Sequence, residues 1–188
     1  GKDEYVWTLR LWNRHVDAEG RYHKGAAVLI SAVAQGAEGA QPLLTHLDLR
    51  KLYHEFGHCL HQLLVATTDY RLADLDILGP DGLEFVSELL ERWCWSATYL
   101  AGIAVHHQTR QALAPSLLQG FLEQARQQES LTFTRDLARA LLDMQLHLTP
   151  DDPRSLQQVV RDTHALVSPW PLAEFERPAS AFDHLVSG

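Results

Sequence analysis

The sequence predicts an α+β fold that is predominantly helical and carries a small antiparallel sheet near its start. Two observations predict it: alternating or β-branched apolar segments occupy residues 1–41, whereas apolar residues recur at steps of three and four through residues 42–188. With 188 residues and 46% hydrophobic composition, the chain is long enough for one domain with a sizeable core. We therefore expect a single domain, with a strand region at 1–41 followed by a helical region at 42–188.

Two strands are predicted in the first region. The segment from Tyr5 to Trp12 alternates apolar and polar residues, as a half-buried strand does. The residues that follow have turn chemistry around Glu19 and Gly20, which favours a hairpin. Ala26 to Ala34 is apolar, partly β-branched and bounded by stretches rich in glycine, so we expect a second strand there.

The remaining elements are predicted to be helices. The first begins after Thr45, a good N-cap residue, and runs to about Ala66. The turn at 79–82 places Asp81 to cap a second helix, which we expect to bury Val86, Leu89, Leu90 and Trp93. Further helices are predicted at 115–126, 131–148 and 153–167, the last with Asp152 as its cap and Pro153 at its first position.

Composition and charge argue against several classes of function. The net charge is −8 and Lys and Arg form no block, so a nucleic acid partner is not expected. No apolar run approaches the roughly 18 residues that would span a bilayer, and no charged-then-apolar leader opens the chain, so we expect no membrane partner and a soluble, cytoplasmic protein. Cys59 and Cys94 lie inside helical patterns and are expected to be buried thiols rather than a disulfide. The start Gly-Lys-Asp suggests a piece excised from a longer protein.

The segment from Leu52 to Leu64, LYHEFGHCLHQLL, carries three histidines and a glutamate on the first predicted helix. His54 and His58 are four residues apart, so their imidazoles lie on one face and can bind one metal ion. Glu55 lies about 100° further round the helix, which suits a general base better than a ligand. The alternative is that both histidines are core residues bonded to backbone. Gly57 indicates a close approach at this point, because a glycine inside a helix costs about 1 kcal/mol relative to alanine.

A catalytic zinc keeps three protein ligands and one open position, so a third ligand must come from another element. Glu84 is the candidate, in a stripe with Glu88 and Glu91 on the second predicted helix. Three such carboxylates are most often simply solvated, which is the alternative. If this helix packs against the histidine helix, Glu84 faces the metal and Glu88, one turn on, can hydrogen-bond a ligand imidazole. His61 would lie beyond the ion and make a polar contact beside the site.

Together these residues resemble the thimet oligopeptidase and oligopeptidase A family of zinc metallopeptidases. The family signature, His-Glu-Phe-Gly-His followed two residues later by another histidine, corresponds here to residues 54–58 and His61. The resemblance covers nearly the whole chain, through the segments PLLTHLDLRKLYHEFGH, LLERWCW, HHQT, LLDMQLH and RPASAFDHLVSG. It implies a zincin-like catalytic domain of the gluzincin type, one zinc ion per chain and short peptides as substrates.

The resemblance also implies a role for each site residue. His54, His58 and Glu84 would be the zinc ligands, and Glu55 would be the base. His184 falls on a loop histidine that contacts the substrate and the developing oxyanion.

The chain departs from the family pattern in two ways. The segment DGLEFVSE lacks the family's proline and has Glu88 where the family has an amide. The family's Gly-Gly-Tyr segment would follow Gly188, and its large N-terminal helical region is missing, so we expect a catalytic part truncated at both ends. The missing parts of the parent enzyme are expected partners, and the isolated chain is expected to be weakly active or inactive.

The expected function is that of a zinc-dependent endopeptidase acting on short peptides. An extended peptide would add to the edge of the strand Ala26 to Ala34, and Glu55 would take a proton from a zinc-activated water and pass it to the leaving amine. The alternative from another class is a non-catalytic, zinc-stabilised helical domain or interaction module. A structural zinc usually has four protein ligands, often cysteines, and Cys59 and Cys94 lack the Cys-x-x-Cys spacing.

Overall fold

Residues 6–31 and 43–181 are described by a computed structural model and are mostly helical, with two small antiparallel pairs of strands. The predicted α+β class with a helical majority is confirmed. Contacts within the chain divide it into two compact units, residues 1–119 and 120–188, which are described separately below. The assignment of the whole chain to one catalytic domain stays a prediction.

Four short strands, β1 (Trp7–Trp12), β2 (His15–Val16), β3 (Tyr22–His23) and β4 (Ala26–Ile30), form the first part of the chain. β1 pairs with β4 and β2 pairs with β3, both antiparallel. The predicted hairpin is confirmed, because the chain reverses at Gly20, which has a φ of +77°. The predicted second strand is also present, although its last residues, 32–34, lie outside the described residues.

Helix α1 (His46–Leu64) begins where the sequence predicted. The Thr45 hydroxyl accepts a hydrogen bond from the Asp48 N–H at 3.1 Å, and the Asp48 carboxylate accepts one from the Thr45 N–H at 2.9 Å. This reciprocal capping satisfies two backbone N–H groups at the helix start and fixes its first turn. The helix packs against β1, β4 and the next helix, so it lies at the centre of the first unit.

The side of β1 that meets α1 is polar. Thr8 donates a hydrogen bond to the main-chain oxygen of Glu55 at 2.7 Å, and Arg10 forms ion pairs with Asp74 and Asp76. The apolar residues of the strand therefore occupy its opposite, exposed face. Alternation in the sequence correctly predicted a half-buried strand with two faces, but its half-buried face is the polar one.

Helix α2 (Gly79–Glu91) follows a 3₁₀ turn at Leu75–Leu78 and is followed by another at Arg92–Trp95. The predicted cap at Asp81 is wrong, since Asp81 lies inside the first turn and the N-cap position is Leu78, without a side-chain cap. The expected burial of Leu89 and Trp93 is also wrong, because both are exposed, whereas Val86 and Leu90 are half-buried. The fully buried residue of α2 is Ser87, whose backbone lies against Gly57 of α1.

A short helix, α3 (Ala97–Ile103), follows the second 3₁₀ turn in the first unit. The buried apolar residues of this unit are Cys59, Ala73, Leu75, Cys94, Leu100 and Leu118. Both cysteines are free, as predicted. Burial raises the pKa of the Cys94 thiol to about 11, so this thiol is unreactive at neutral pH.

Helix α4 (Pro115–Leu148) is continuous over 34 residues, so the predicted break between residues 126 and 131 is wrong. The intervening sequence QQES is polar but contains no glycine or proline, and glutamine and glutamate are good helix formers. Helix α5 (Leu156–Val167) has Ser155 as its N-cap in place of the predicted Asp152. Asp152 instead accepts hydrogen bonds from the backbone N–H and the guanidinium of Arg154, each at 3.0 Å.

The core of the second unit is formed by Leu142, Val159 and Val160, with Leu146, Leu172 and Ala179 packed around them. Within the described residues, every helix is too short or too polar to cross a membrane.

Candidate metal centre

Helices α1 and α2 approach each other closely beside the two histidines of the motif. A Cβ atom placed on Gly57 would lie 2.4 Å from the Cα of Ser87, which is well inside van der Waals contact. The glycine predicted to mark a close approach therefore lies where the backbone of α2 meets α1. This crossing brings Glu84, one turn before Ser87, opposite His54 and His58.

Three ligand-type atoms form a nearly equilateral triangle at this crossing. Nε2 of His54 lies 3.2 Å from Nε2 of His58, and Oε2 of Glu84 lies 3.1 Å and 3.3 Å from those two nitrogens. Bonds of about 2.0–2.1 Å to a tetrahedral zinc place two ligand atoms about 3.3 Å apart. The triangle thus has the size of one face of a zinc tetrahedron, and it is the one group of this kind found among the described residues.

His54 is oriented by a carboxylate on the other helix. Its Nδ1 lies 2.8 Å from Oε1 of Glu91, and since a carboxylate only accepts, Nδ1 must carry the proton. The Nε2 of a neutral His54 then presents a lone pair to the triangle. This is the tautomer that a metal-binding histidine requires.

Glu91 is in turn held by Arg50, whose Nε and Nη2 each lie 3.0 Å from Oε2 of the carboxylate. Burial alone would raise the pKa of Glu91, but the hydrogen bonds from His54 and Arg50 outweigh it and hold this pKa below its usual value. The carboxylate is therefore ionised at neutral pH. Arg50, Glu91 and His54 form a continuous chain of charge-assisted hydrogen bonds that ends at the triangle.

The sequence prediction had given this role to Glu88. The side chain of Glu88 is exposed, and the hydrogen bond to the imidazole is made by Glu91 instead. The available signal was the stripe of three glutamates: Glu91 is seven residues from Glu84 and therefore only about 20° from it around the helix, whereas Glu88 is about 40° away on the other side. The contact of Arg50 with Glu91 could not be predicted from the sequence, because it depends on where α2 crosses α1.

The two imidazoles of the triangle have different electrostatic environments. The hydrogen bond to Glu91 raises the pKa of His54 against the opposing effect of burial, whereas burial lowers the pKa of His58. With His54 Nδ1 protonated, two ring nitrogens and a carboxylate oxygen converge within 3.3 Å of one another. Such electron-rich atoms repel unless a proton or a cation lies between them.

The other predicted site residues lie outside the triangle. Burial lowers the pKa of His61, against the opposing effect of a hydrogen bond that its ring donates to the backbone of Leu83. Glu55 is half-buried and borders a cavity of about 230 Å³ that His54, Glu91, Leu47, Arg50 and Lys51 also line. His184 lies outside the described residues.

Comparison with known protein families matches residues 1–188 to peptidase family M3. The chain belongs to peptidase family M3. It is 30% identical to oligopeptidase A of Escherichia coli (strain K12) over 173 residues, which cover 91% of this chain and 25% of that protein. It is 27% identical to a probable thimet oligopeptidase of Arabidopsis thaliana over 190 residues, covering 100% of this chain and 26% of the relative.

This M3 chain spans about a quarter of the length of these curated relatives. The relatives also include a probable cytosolic oligopeptidase A and an organellar oligopeptidase A, both of Arabidopsis thaliana. The cytoplasmic location expected for this chain therefore stays a prediction. The family predicted from the motif residues is confirmed.

Proposed function

We propose that this M3 chain is the zinc-binding catalytic part of an oligopeptidase, in which His54, His58 and Glu84 hold one zinc ion and Glu55 is the general base. The observation that carries the proposal is the triangle of ligand atoms, 3.1–3.3 Å on each side. Two imidazoles and one carboxylate are a donor set that zinc accepts in catalytic sites.

Three protein ligands would leave one position of a tetrahedral zinc without a ligand from the chain. The Glu84 side chain is 42% exposed, so solvent reaches this side of the site. A zinc ion in such a site supplies a Lewis acid that polarises a carbonyl and brings the pKa of water toward about 7. Arg50 and Glu91 keep His54 in the tautomer that this arrangement needs. The chain itself must supply the groups that move protons.

Glu55 is the group proposed to move them. It is the neighbour of His54 on α1, and its main-chain oxygen accepts a hydrogen bond from Thr8, so the backbone that carries its carboxylate is tied to the sheet. Its carboxylate would take a proton from the attacking water and pass it to the leaving amine of the peptide. A group of this kind contributes about 10²–10⁴-fold to the rate.

The substrate in this proposal is a short peptide bound in an extended conformation. Among the described residues β4 pairs with β1 alone, which leaves its other edge for main-chain hydrogen bonds with a peptide beside α1. His184, outside the described residues, would contact the substrate and the developing oxyanion. Since this chain spans about a quarter of its relatives, endopeptidase activity is proposed for a longer protein in the cytoplasm, with the 188-residue chain weakly active or inactive.

Zinc content and peptide hydrolysis test the proposal in two paired variants. After dialysis, mass spectrometry of the metal should show one zinc per chain, with affinity lowered about tenfold or more in Glu84→Gln. Glu55→Gln should keep its zinc, and in a longer form of the protein it should lose hydrolysis of a quenched peptide by about 10²–10⁴-fold. Equal zinc affinity in wild type and Glu84→Gln would remove Glu84 from the site, and full hydrolysis by Glu55→Gln would refute its role as base.

The same experiment distinguishes the proposed catalytic function from the non-catalytic alternative. A zinc-stabilised interaction module would bind one zinc and melt at a lower temperature without it, but Glu55→Gln would then change nothing that can be measured. The three-ligand triangle favours the catalytic alternative, because structural zinc usually has four protein ligands.

A further inference from the structure

Ser87 is the most deeply buried polar residue of α2, with 0% of its surface exposed. Its Oγ lies 2.7 Å from the main-chain oxygen of Glu84 and 3.0 Å from Oε2 of the Glu84 carboxylate. A serine hydroxyl in a helix commonly donates to the carbonyl three or four residues before it. The additional contact with the carboxylate is what sets Ser87 apart.

The carboxylate oxygen that Ser87 contacts is the one in the triangle. Oε2 of Glu84 lies 3.1 Å from His54 Nε2 and 3.3 Å from His58 Nε2. Apart from these imidazoles, the contacts to the Glu84 carboxylate among the described residues come from Ser87 alone. A flexible glutamate that is partly exposed would otherwise lose side-chain entropy on binding a metal.

Packing explains a small residue at position 87, but it does not explain the hydroxyl. Ser87 is fully buried where its backbone meets Gly57, so a small residue suits this position, and alanine is as small as serine. A buried hydroxyl is unfavourable unless it is hydrogen-bonded. The Glu84 carbonyl already satisfies the buried hydroxyl, so packing and burial leave its second contact, the one with the carboxylate, unexplained.

We propose that Ser87 is a positioning residue for the metal centre, whose hydroxyl holds the Glu84 carboxylate in the conformation that faces His54 and His58. This inference rests on the proposed function and adds a residue that acts through Glu84. The single hydroxyl proton is shared between the Glu84 carbonyl at 2.7 Å and the carboxylate at 3.0 Å. The contact with the carboxylate is charge-assisted, so it holds Oε2 in place while the remaining lone pair of Oε2 stays available to the triangle. Loss of a group that orients a metal ligand typically weakens metal binding about 10–100-fold.

The test measures zinc dissociation constants of the 188-residue chain by competition with a chromophoric chelator. Ser87→Ala should raise the dissociation constant about tenfold relative to wild type. Ser130→Ala is the matched control, because Ser130 donates to the main-chain oxygen of Gln127 at 2.7 Å in α4, with the same spacing of three residues. This control should leave the dissociation constant unchanged.

A double-mutant cycle separates positioning from packing. If the hydroxyl acts through the carboxylate, Ser87→Ala should change zinc affinity by less than about twofold when Glu84 is already Gln. An equal loss in both backgrounds would show that Ser87 acts through packing and would overturn the inference. Thermal unfolding of the metal-free chain shows whether each variant folds, and Ser87→Gly, which also removes the hydroxyl, serves if Ser87→Ala does not.

The outcomes distinguish this inference from the proposed function. A wild-type chain that binds no zinc overturns both. A wild-type chain that binds one zinc, with Ser87→Ala binding it equally well, overturns the positioning role alone.

Discussion

At the scale of single residues, the orientation of His54 depends on Glu91, which lies outside the triangle of His54, His58 and Glu84. Glu91 accepts a hydrogen bond from Nδ1 of His54 and two from Arg50, and the positive charge of Arg50 balances its negative charge. The Arg50 guanidinium also lies 5.0 Å from the ring centre of Trp95. A rotation of Glu91 away from His54 would have to disturb both partners of Arg50, which keeps the imidazole orientation well defined.

Glu91→Gln should weaken zinc binding by about tenfold, because the amide retains the shape but loses the charge that favours a positive centre. The matched control is Glu88→Gln, since Glu88 lies on the same helix with an exposed side chain. It should leave zinc affinity within about twofold of wild type. Competition with a chelator measures both, and an equal effect of the two substitutions would show that Glu91 acts only through the overall charge of α2.

At the scale of elements, the site depends on the point at which the backbones of α1 and α2 come into close contact. Gly57 and Ser87 occupy the point of contact, and the ligand-type residues lie within one turn of it: His54 and His58 on α1 and Glu84 on α2. A wider crossing would move the carboxylate away from the imidazoles. The separation of the helices therefore helps to determine the geometry of the triangle.

Gly57→Ala tests this dependence through the sign of its effect. Alanine in a helix is normally more favourable than glycine by about 1 kcal/mol, but here its Cβ would lie 2.4 Å from the Cα of Ser87, and overpacking costs about 1–3 kcal/mol. We expect a lower free energy of unfolding in urea and weaker zinc binding. Gly120→Ala in α4 is the control, because a Cβ there meets nothing within 4 Å, and it should stabilise the protein. A Gly57→Ala protein as stable as Gly120→Ala would show that α1 and α2 can separate freely.

The elements also show which features could be predicted from the sequence. Helix α1, its cap at Thr45 and the histidine pair depend on residues within four positions of one another, so local rules were sufficient. Glu84 required the resemblance to a family as well, because it lies on another helix. Glu91 was missed because its hydrogen bond depends on how far along α2 the crossing occurs, which spacing within α2 does not specify.

The strand β1 shows a different reason for error. Alternation groups Trp7, Leu9 and Leu11 on one face and Thr8 and Arg10 on the other, but a period of two leaves open which face is covered. Tertiary contacts determine which face is covered. Thr8 donates a hydrogen bond to the Glu55 carbonyl, and Arg10 forms ion pairs with Asp74 and Asp76. The same reason applies to Leu89 and Trp93, whose apolar character predicted burial although no described residue covers them well.

At the scale of the whole molecule, the apolar face of β1 is uncovered by the residues that the structure describes. Trp7, Leu9 and Leu11 are 43%, 42% and 44% exposed, and Val28 on the paired strand β4 is also exposed. Adjacent exposed apolar side chains on a sheet form a sticky surface, unlike single apolar residues scattered over a helix. Relatives of this M3 chain are about four times as long, so a face that is exposed here need not be exposed in a longer protein.

The isolated 188-residue chain should therefore self-associate through this face. Sedimentation velocity should show a sedimentation coefficient that rises with protein concentration, and the double variant Leu9→Thr with Leu11→Thr should reduce this rise, because threonine keeps strand propensity while removing apolar surface. The control pair is Phe133→Gln with Leu148→Gln, since both residues are exposed on α4 and lie apart from each other. If the control pair abolishes association while the strand pair does not, the contact surface lies on α4. A wild-type chain that is monomeric at every concentration would show that the exposed β1 face does not drive self-association.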